Sequence, residues 1–190
     1  PDSLLQSFIR CIANNENKNN HIIAANEGSA IGIAIGYNLV TQKIPLVYLQ
    51  NSGLGNAVNP ILSLADKKVY SIPMLLVIGW RGEPGVSDEP QHITQGAVTK
   101  RMLNTMGISF LSVNKKTKLI EIEKFIKKLN KRLSPMALLI SRDALEDDTK
   151  PKLVNSKYKL SREEAIREIV DSLNSDDVIV STTGMASREL

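Results

Sequence analysis

Cysteine and long apolar runs are nearly absent from this chain of 190 residues. Cys11 is the only cysteine, which excludes an internal disulfide and a metal cluster built on thiols. Such cysteine usage is typical of a reducing compartment, so we expect a cytoplasmic protein. The longest apolar runs, such as Met74 to Ile78, fall far short of the roughly 18 residues that cross a bilayer, and no signal sequence opens the chain. We therefore expect a soluble protein without a membrane partner.

Aromatic residues are also scarce, at 4% of the chain, and this bears on its basic charge. The formal net charge is +4, and much of the excess lies between Lys115 and Arg132. Apolar residues recur there at helical spacing: Leu119, Ile122, Phe125, Ile126 and Leu129. The spacing predicts an amphipathic helix whose lysines face solvent. Because aromatic side chains for base stacking are so few, no nucleic acid partner is expected.

Signature motifs of several enzyme classes are missing as well. The sequence has no HExxH, GxSxG, Walker-type or zinc-ligand spacing. Glycines follow an apolar run in NEGSAIGIAIG, but Gly28, Gly32 and Gly36 are four residues apart, whereas a dinucleotide-binding loop needs two-then-three spacing. They should line one face of a helix, where close helix packing would explain them. This spacing argues against a conventional dinucleotide-dependent dehydrogenase.

Short apolar segments alternate with amphipathic ones over residues 1–143. The predicted strands are His21–Ala25, Pro45–Gln50, Pro73–Trp80, Ile108–Val113 and Met136–Ser141. The predicted helices are Leu4–Ile12, the segment after Ala25, Leu54–Val69 with an interruption at Asn59 and Pro60, Gln91–Met106 and the lysine-rich segment. This alternation is typical of an α/β fold with a doubly wound, mostly parallel sheet and helices on both faces. Ligands of such sheets bind at the carboxyl ends of the strands.

The chain changes character after residue 143. Residues 144–160 are polar and charged, contain Pro151 and lack apolar periodicity, so we interpret them as an interdomain linker. Ser161 and Glu164 form a capping-box pattern at the start of a helix, and a strand is predicted over Val178–Ser181. One helix and one strand cannot bury a core. Residues 161–190 are therefore expected to begin a second α/β domain that continues in the natural protein.

Glu27 follows the first predicted strand. A lone carboxylate between an apolar strand and an apolar helix is costly unless it has a partner. The helix N-terminus can hold the anion, so helix capping is one interpretation, although Asn, Asp, Ser or Thr would cap better. The alternative is that the longer side chain of Glu27 reaches a ligand.

Two further loops present polar groups after strands. The first contains Gln50, Asn51, Ser52 and Gly53, and Ser52 either caps a helix or belongs to a ligand site. The second, WRGEPGVSDEPQH, has the densest set of acid–base groups in the chain: Arg81, Glu83, Asp88, Glu89 and His92. This loop is either a solvent-exposed connection, with Asp88 or Glu89 capping a helix that starts at Pro90, or part of an active site.

In this order, these loops resemble the pyrimidine-binding domain of thiamine-diphosphate enzymes, and in particular the decarboxylases of phosphonopyruvate and sulfopyruvate. The resemblance rests on PDSLL, NEGSAIGIAIGYNL, YLQNSGLGNAVNP, PMLLVIGWRGEPG and DEPQHITQG, and it resumes at STTGMASREL, so it covers most of the chain. In the family, PDSLL follows a first strand that this chain lacks. The resemblance makes residues 1–143 the pyrimidine-binding domain, while STTGMASREL opens the diphosphate-binding domain.

The resemblance implies a role for each loop. Glu27 corresponds to the glutamate that hydrogen-bonds the ring nitrogen of the cofactor's aminopyrimidine and so promotes proton removal from the thiazolium carbon. Asn51, Ser52 and Gly53 are expected to contribute to cofactor binding beside it.

Catalytic and substrate-binding roles follow in the same way. Asp2 would serve proton transfers with His92 as its partner, which makes Glu27, Asp2 and His92 the expected catalytic residues. Asp88 and Glu89 are candidates for substrate contact. Arg81 is a further candidate, for the phosphonate, on charge alone.

The implied reaction is the decarboxylation of a 3-substituted pyruvate with thiamine diphosphate. Phosphonopyruvate, which would give phosphonoacetaldehyde in phosphonate biosynthesis, is favoured over sulfopyruvate; a non-catalytic assembly or regulatory subunit with this fold is a further alternative. The GDG signature that holds Mg²⁺ and the diphosphate in the family is missing here, so we expect this chain alone to be inactive and assign no metal ligand in it. Because the family's site lies between subunits, a homo-oligomer is expected.

Overall fold

Four parallel strands form the sheet of the computed structural model, which describes residues 2–15, 20–146 and 159–180. They are β1 Leu46–Gln50, β2 Leu75–Gly79, β3 Ser109–Val113 and β4 Met136–Ile140, and their order in the sheet is β1-β2-β4-β3. The chain divides into a unit that contains this sheet, Pro1–Lys150, and a second unit, Pro151–Leu190. The predicted α/β class with a parallel sheet is confirmed.

Helices connect the strands of the first unit. They are α1 Gln6–Asn15, α2 Glu27–Thr41, α3 Leu54–Pro60, α4 Pro90–Thr105, α5 Leu119–Lys127 and α6 Leu129–Arg132. A 3₁₀ turn at Ser3–Leu5 leads into α1, and another at Asn51–Gly53 leads into α3. The predicted interruption at Pro60 is confirmed, because α3 gives way there to a π-helical segment, Ile61–Ala65. The lysine-rich segment forms two helices instead of one, since Lys128 N bonds to Phe125 O in a tighter turn.

Both faces of the sheet are covered, and β2 shows how. All five of its residues are buried. Leu76 and Ile78 belong to an apolar cluster that includes residues of α2, α3 and α4, whereas Leu75 and Val77 belong to a second cluster with residues of α5, α6 and the turn before α1. This alternation follows from the period of two along a strand and explains why the segment is apolar throughout.

The register of the sheet brings the strand ends together. Gln50 pairs with Gly79, while Gly79 and Val113 each pair with Ile140, so the four parallel strands end at one level. We call this side of the sheet the carboxyl edge. The segments that begin at Asn51, Trp80, Asn114 and Ser141 all leave from it.

The strand predicted over His21–Ala25 is wrong. Residues 21–25 form no strand, and Ile22 and Ile23 are 61% and 82% exposed. An apolar run becomes a strand only when a neighbour accepts and donates its backbone hydrogen bonds, and no described segment pairs with this one.

In the second unit, α7 Arg162–Asp171 starts at the predicted capping box. Ser161 Oγ accepts from Glu164 N at 3.2 Å, and Glu164 Oε2 accepts from Ser161 N at 2.7 Å. Residues 178–180 do not form the predicted strand, and Val178 and Val180 are exposed. Most of the predicted linker (147–158) and STTGMASREL lie outside the described residues. Within the part of the chain that the structure describes, no helix is long and apolar enough to cross a membrane.

Candidate functional site

Glu27 is the first residue of α2, but it does not cap the helix. Asn26 does so, because its Oδ1 accepts from Ser29 N at 2.8 Å. Glu27 Oε2 instead accepts from Asn56 Nδ2 at 2.8 Å. The carboxylate also lies against Gly53, where a Cβ atom would be only 2.4 Å from Glu27 Oε1. The bare backbone just beyond β1 is therefore what allows this carboxylate to sit at the carboxyl edge.

Asn51 connects the ends of β1 and β2. Its buried side chain donates to Arg81 O at 2.8 Å and to Thr99 Oγ1 at 2.9 Å, and its Oδ1 accepts from Arg81 N at 3.1 Å. Through these bonds, the side-chain amide of Asn51 fixes the loop after β2 to the end of β1 and to α4. Ser52 is exposed and accepts from Gln50 Nε2, so it does not serve as a helix cap.

Asp2 lies at the end of β2 and is 3% exposed. Its Oδ1 accepts from Leu4 N at 3.2 Å, whereas Oδ2 is buried without a hydrogen-bond partner among the described residues. The side chain rests on Gly79, because a Cβ atom there would be 1.6 Å from Asp2 Oδ2. Burial raises the pKa of Asp2, and the nearby charges of Arg81 and His92 oppose this rise.

Asp88 is the centre of a charged cluster beside Asp2. Arg81 holds it through Nε to Oδ2 at 2.9 Å and through Nη2 to Oδ1. The backbone N–H groups of Gly82 and Glu89 also donate to it, each at 2.8 Å. The hydrogen bond from Arg81 is the main reason why the pKa of Asp88 falls far below its usual range. Asp88 is therefore a carboxylate that organises its loop.

His92 forms its hydrogen bond with Asp88 and not with the predicted partner Asp2. Its Nδ1 lies 3.0 Å from Asp88 Oδ1, and since that carboxylate is ionised, Nδ1 carries the proton and donates it. Asp2 is near enough to His92 that a positive charge on the histidine lowers the pKa of Asp2. Asp88 precedes His92 by four residues at the start of α4, a spacing that favours contact and that was overlooked in naming Asp2 as the partner.

The loop that carries Asp88 is packed tightly on α4. Gly82 has a φ of +67°, and a Cβ atom there would lie 1.9 Å from His92 O. A Cβ atom at Gly96 would lie 1.7 Å from Gly82 O. Glu89 occupies the N-cap position of α4 without a side-chain cap bond. The helix starts at Pro90 as expected and the loop is exposed at residues 84–87 and at Glu89, but the expected acidic side-chain cap is absent, and Gly82 is buried against α4.

Arg142 is a member of the carboxyl edge that sequence reasoning missed. It follows β4, and its Nη2 lies 3.7 Å from Asp88 Oδ1. Asn56 and Thr99, which bind Glu27 and Asn51, were also missed. The rule that singled out Glu27, Asn51 and Arg81 applies equally to the residues after the last strand and would have identified Arg142.

Comparison with known proteins gives the class of protein. The family model described as "Thiamine pyrophosphate enzyme, N-terminal TPP binding domain" matches residues 1–105, which is more than half of the chain. The chain therefore belongs to this family of thiamine-diphosphate-binding domains.

Curated relatives narrow the comparison. The chain is 29% identical to a phosphonopyruvate decarboxylase of Streptomyces viridochromogenes and 30% identical to one of Streptomyces hygroscopicus, in each case over 90% of this chain and 46% of the relative. It is 36% identical to the sulfopyruvate decarboxylase subunit alpha of Methanococcus maripaludis, over 66% of this chain and 72% of that subunit. The chain thus spans about half the length of the phosphonopyruvate decarboxylases that it matches.

The surroundings of Glu27 fit the pyrimidine end of the cofactor. The carboxylate is half-buried, is fixed by Asn56, and occupies space that any side chain at position 53 would fill. A carboxylate at this position repels a diphosphate but can share a proton with a ring nitrogen, accepting from the nitrogen when it is protonated. Among the described residues, no group of three or more His, Cys, Asp or Glu side chains is arranged to hold a metal ion.

Proposed function

We propose that the protein containing this chain decarboxylates 3-phosphonopyruvate to phosphonoacetaldehyde with thiamine diphosphate, and that this chain forms the cofactor-activating half of the site. One observation carries the proposal. In a chain of this family, Glu27 rests on Gly53 just after β1 while Asp2 rests on Gly79 at the end of β2, so two carboxyl groups with different surroundings lie at adjacent strand ends.

Glu27 would hold the pyrimidine ring nitrogen of the cofactor. When bound, thiamine diphosphate would supply a nucleophilic carbon and a cationic ring that stores the electron pair released as carbon dioxide leaves. Asn56 and the backbone of Gly53 fix the carboxylate, so its orientation is set before the cofactor arrives. Asn51 holds the neighbouring loop in place, and Ser52 and Gly53 remain predicted cofactor contacts.

Asp2 and His92 would handle the proton that the product carbon needs. Burial raises the pKa of Asp2 and so favours the protonated form of a carboxyl group that can give up a proton inside the site. Asp88 fixes the tautomer of His92 with Nδ1 protonated, which leaves Nε2 as the exchanging nitrogen. Asp88 thus positions His92, while Glu89 remains a predicted substrate contact.

Phosphonopyruvate is preferred as substrate because similarity to the two phosphonopyruvate decarboxylases extends over 90% of the chain. Sulfopyruvate is the second candidate, since the identity to a sulfopyruvate decarboxylase subunit reaches 36%. The proposal includes Mg²⁺ bound by a separate diphosphate-binding domain. It also includes a homo-oligomer with a shared site; the relatives named as alpha subunits support assembly with further chains, which a shared site requires.

The experiment replaces Glu27 by Gln in the full-length protein, supplied with thiamine diphosphate and Mg²⁺. Release of carbon dioxide and phosphonoacetaldehyde from phosphonopyruvate should fall roughly 100-fold or more, because the amide cannot exchange a proton with the ring. Wild-type levels of product from Glu27→Gln would overturn the role of this residue.

A matched pair of glycine variants tests the same position by geometry. Gly53→Ala places a Cβ atom inside the Glu27 carboxylate and should lower product formation with the fold retained by circular dichroism. Gly55→Ala, two residues later in an exposed position with nothing within 4 Å of its Cβ, should leave the rate near that of the wild type. Equal activity of the two variants would contradict the proposed position of Glu27.

A further inference from the structure

Arg142, a positively charged residue that follows β4, has no role in the proposed function. Arg142 leaves the carboxyl edge beside Asp88, and its side chain is 39% exposed. We infer that Arg142 binds the anionic tetrahedral group on carbon 3 of the substrate, the phosphonate in the function proposed above. The inference rests on that function for the identity of the ligand, but on the structure for the residue.

The backbone of Arg142 is held on both sides. Ala144 N donates to Ser141 O at 3.2 Å, which closes a four-residue turn with Arg142 at its second position. Asp143, the third residue of the turn, has a φ of +56°. Before the turn, Ser141 N is bonded to Val113 O, and after it Ala144 and Leu145 pack on the second apolar cluster. The turn therefore directs Arg142 from a rigid part of the sheet.

The neighbouring charges leave Arg142 available. Asp88 is already bound by Arg81 through two guanidinium nitrogens and by His92, with a side chain only 5% exposed. The 3.7 Å that separates Arg142 from Asp88 exceeds hydrogen-bond length, so this contact is electrostatic only. One buried carboxylate thus faces two guanidinium groups, and the more exposed of these keeps its donors for a further anion.

Arg81 is less suited to this task. Its Nε and Nη2 donate to Asp88 and its Nη1 to Ser3 Oγ at 2.8 Å, so substrate binding would have to compete with bonds that hold the loop. Arginine matches the oxygens of a phosphonate or sulfonate with paired N–H groups. Asp2 lies at the end of β2, and β4 is a neighbour of β2 in the sheet. A substrate that reacts near Asp2 and extends toward the end of β4 would bring its charged group to Arg142.

The test uses the full-length protein and the unreactive probe 3-phosphonopropionate, titrated by isothermal calorimetry. Arg142→Gln should weaken binding of this probe roughly 10- to 100-fold, the loss expected for charge-assisted hydrogen bonds. Propionate, which lacks the phosphonate, should bind both proteins equally. Arg132→Gln is the matched control, because Arg132 is exposed in α6, before β4 begins. It should bind the probe like the wild type.

Three results would overturn the inference. Arg142→Gln could bind 3-phosphonopropionate like the wild type, its affinity for propionate could fall as much as its affinity for the probe, or the wild type could fail to bind the probe. With phosphonopyruvate as substrate, Arg142→Gln should raise KM about tenfold or more and change kcat less. A wild-type protein that releases no carbon dioxide but shows the expected binding pattern would overturn the proposed function and leave the anion site standing.

Discussion

Asp2 and Asp88 lie in one cluster, yet their surroundings move their pKa values in opposite directions. Burial is the main cause of the raised pKa of Asp2, and one of the two carboxyl oxygens has no hydrogen-bond partner among the described residues. The pKa of Asp88 is lowered chiefly by the hydrogen bond from Arg81. Titratable groups whose pKa values are pushed apart are characteristic of acid–base sites. The difference supports the proposal that Asp2 transfers protons and that Asp88 positions His92.

Replacing Asp2 by Asn tests the burial argument through pH. Because the folded pKa of Asp2 lies above its unfolded value, its contribution to stability is fully present below about pH 4 and is lost as the pH rises through the folded pKa. Asparagine cannot ionise, so Asp2→Asn should gain thermal stability relative to the wild type between pH 4 and pH 8. Thermal unfolding followed by circular dichroism across this range measures the change.

Asp88→Asn gives the control of opposite sign. The lowered pKa of Asp88 means that its stabilising contribution is present above about pH 4 and is lost only on further acidification. This variant should therefore be less stable than the wild type at pH 7, with the gap narrowing below pH 4. If the difference between Asp2→Asn and the wild type stays constant across the pH range, Asp2 is not desolvated as described.

Sequence reasoning at this scale succeeded where a residue type was out of place. Glu27 was singled out because a lone carboxylate beside an apolar helix is costly without a partner, and the structure brings it to the carboxyl edge, bonded to Asn56. The hydrogen-bond partner of His92 was predicted wrongly, although the i,i+4 spacing of Asp88 and His92 was a signal for the observed pair. Gly53 and Gly79 were hidden, because their role depends on which side chain rests on them in space.

At the scale of elements, the glycines of α2 do not all serve one purpose. A Cβ atom at Gly28 would lie 3.0 Å from Asn56 O of α3, whereas Gly32 and Gly36 have nothing within 4 Å. Close packing thus explains Gly28 within this unit. Equal spacing within α2 thus does not imply equal crowding, and the most crowded helical glycine is Gly96 of α4, where a Cβ atom would lie 1.7 Å from Gly82 O.

Two helical glycine-to-alanine changes test this difference. Gly36→Ala should raise the free energy of unfolding by about 0.5–1 kcal/mol, because alanine favours the helix and meets no neighbour. Gly96→Ala should lower it by roughly 1–3 kcal/mol, because the added Cβ atom pushes Gly82 away from α4. Urea unfolding of both variants measures the two values.

Decarboxylation activity provides a second test of the variants Gly96→Ala and Gly36→Ala. Displacing the Asp88 loop also displaces His92, so Gly96→Ala should reduce decarboxylation in the full-length protein, while Gly36→Ala should not. Two variants of equal stability and activity would show that the loop does not pack on α4 as described.

For the whole molecule, the proposed function makes the carboxyl edge one side of a cofactor pocket. Glu27, Asp2 and the Asp88 cluster line the carboxyl edge of the first unit, while the expected diphosphate contacts belong to a domain of which residues 161–190 are the predicted start. With the diphosphate contacts in a separate domain, as proposed, the 190 residues should bind thiamine diphosphate roughly 100-fold more weakly than the full-length protein, because the charge-assisted bonds to the diphosphate would be missing. Calorimetric titration of both proteins with Mg²⁺ present compares the affinities.

Thiamine without its diphosphate serves as the control ligand. It should lose little affinity between the full-length protein and the chain, since the pyrimidine contacts lie in the chain. Equal binding of thiamine diphosphate by both proteins would place the diphosphate site within these 190 residues and contradict the division of labour.

The sequence by itself determined the fold class and the polar ends of the strands. Apolar segments such as Leu75–Gly79 are buried on both faces in a parallel sheet, and this pattern is local enough to identify without coordinates. Tertiary structure alone decided that residues 21–25 form no strand, that Asp2 rests on Gly79, and that Arg142 Nη2 lies 3.7 Å from Asp88 Oδ1. Each of these depends on what a distant part of the chain brings alongside, and spacing in the sequence does not contain that information.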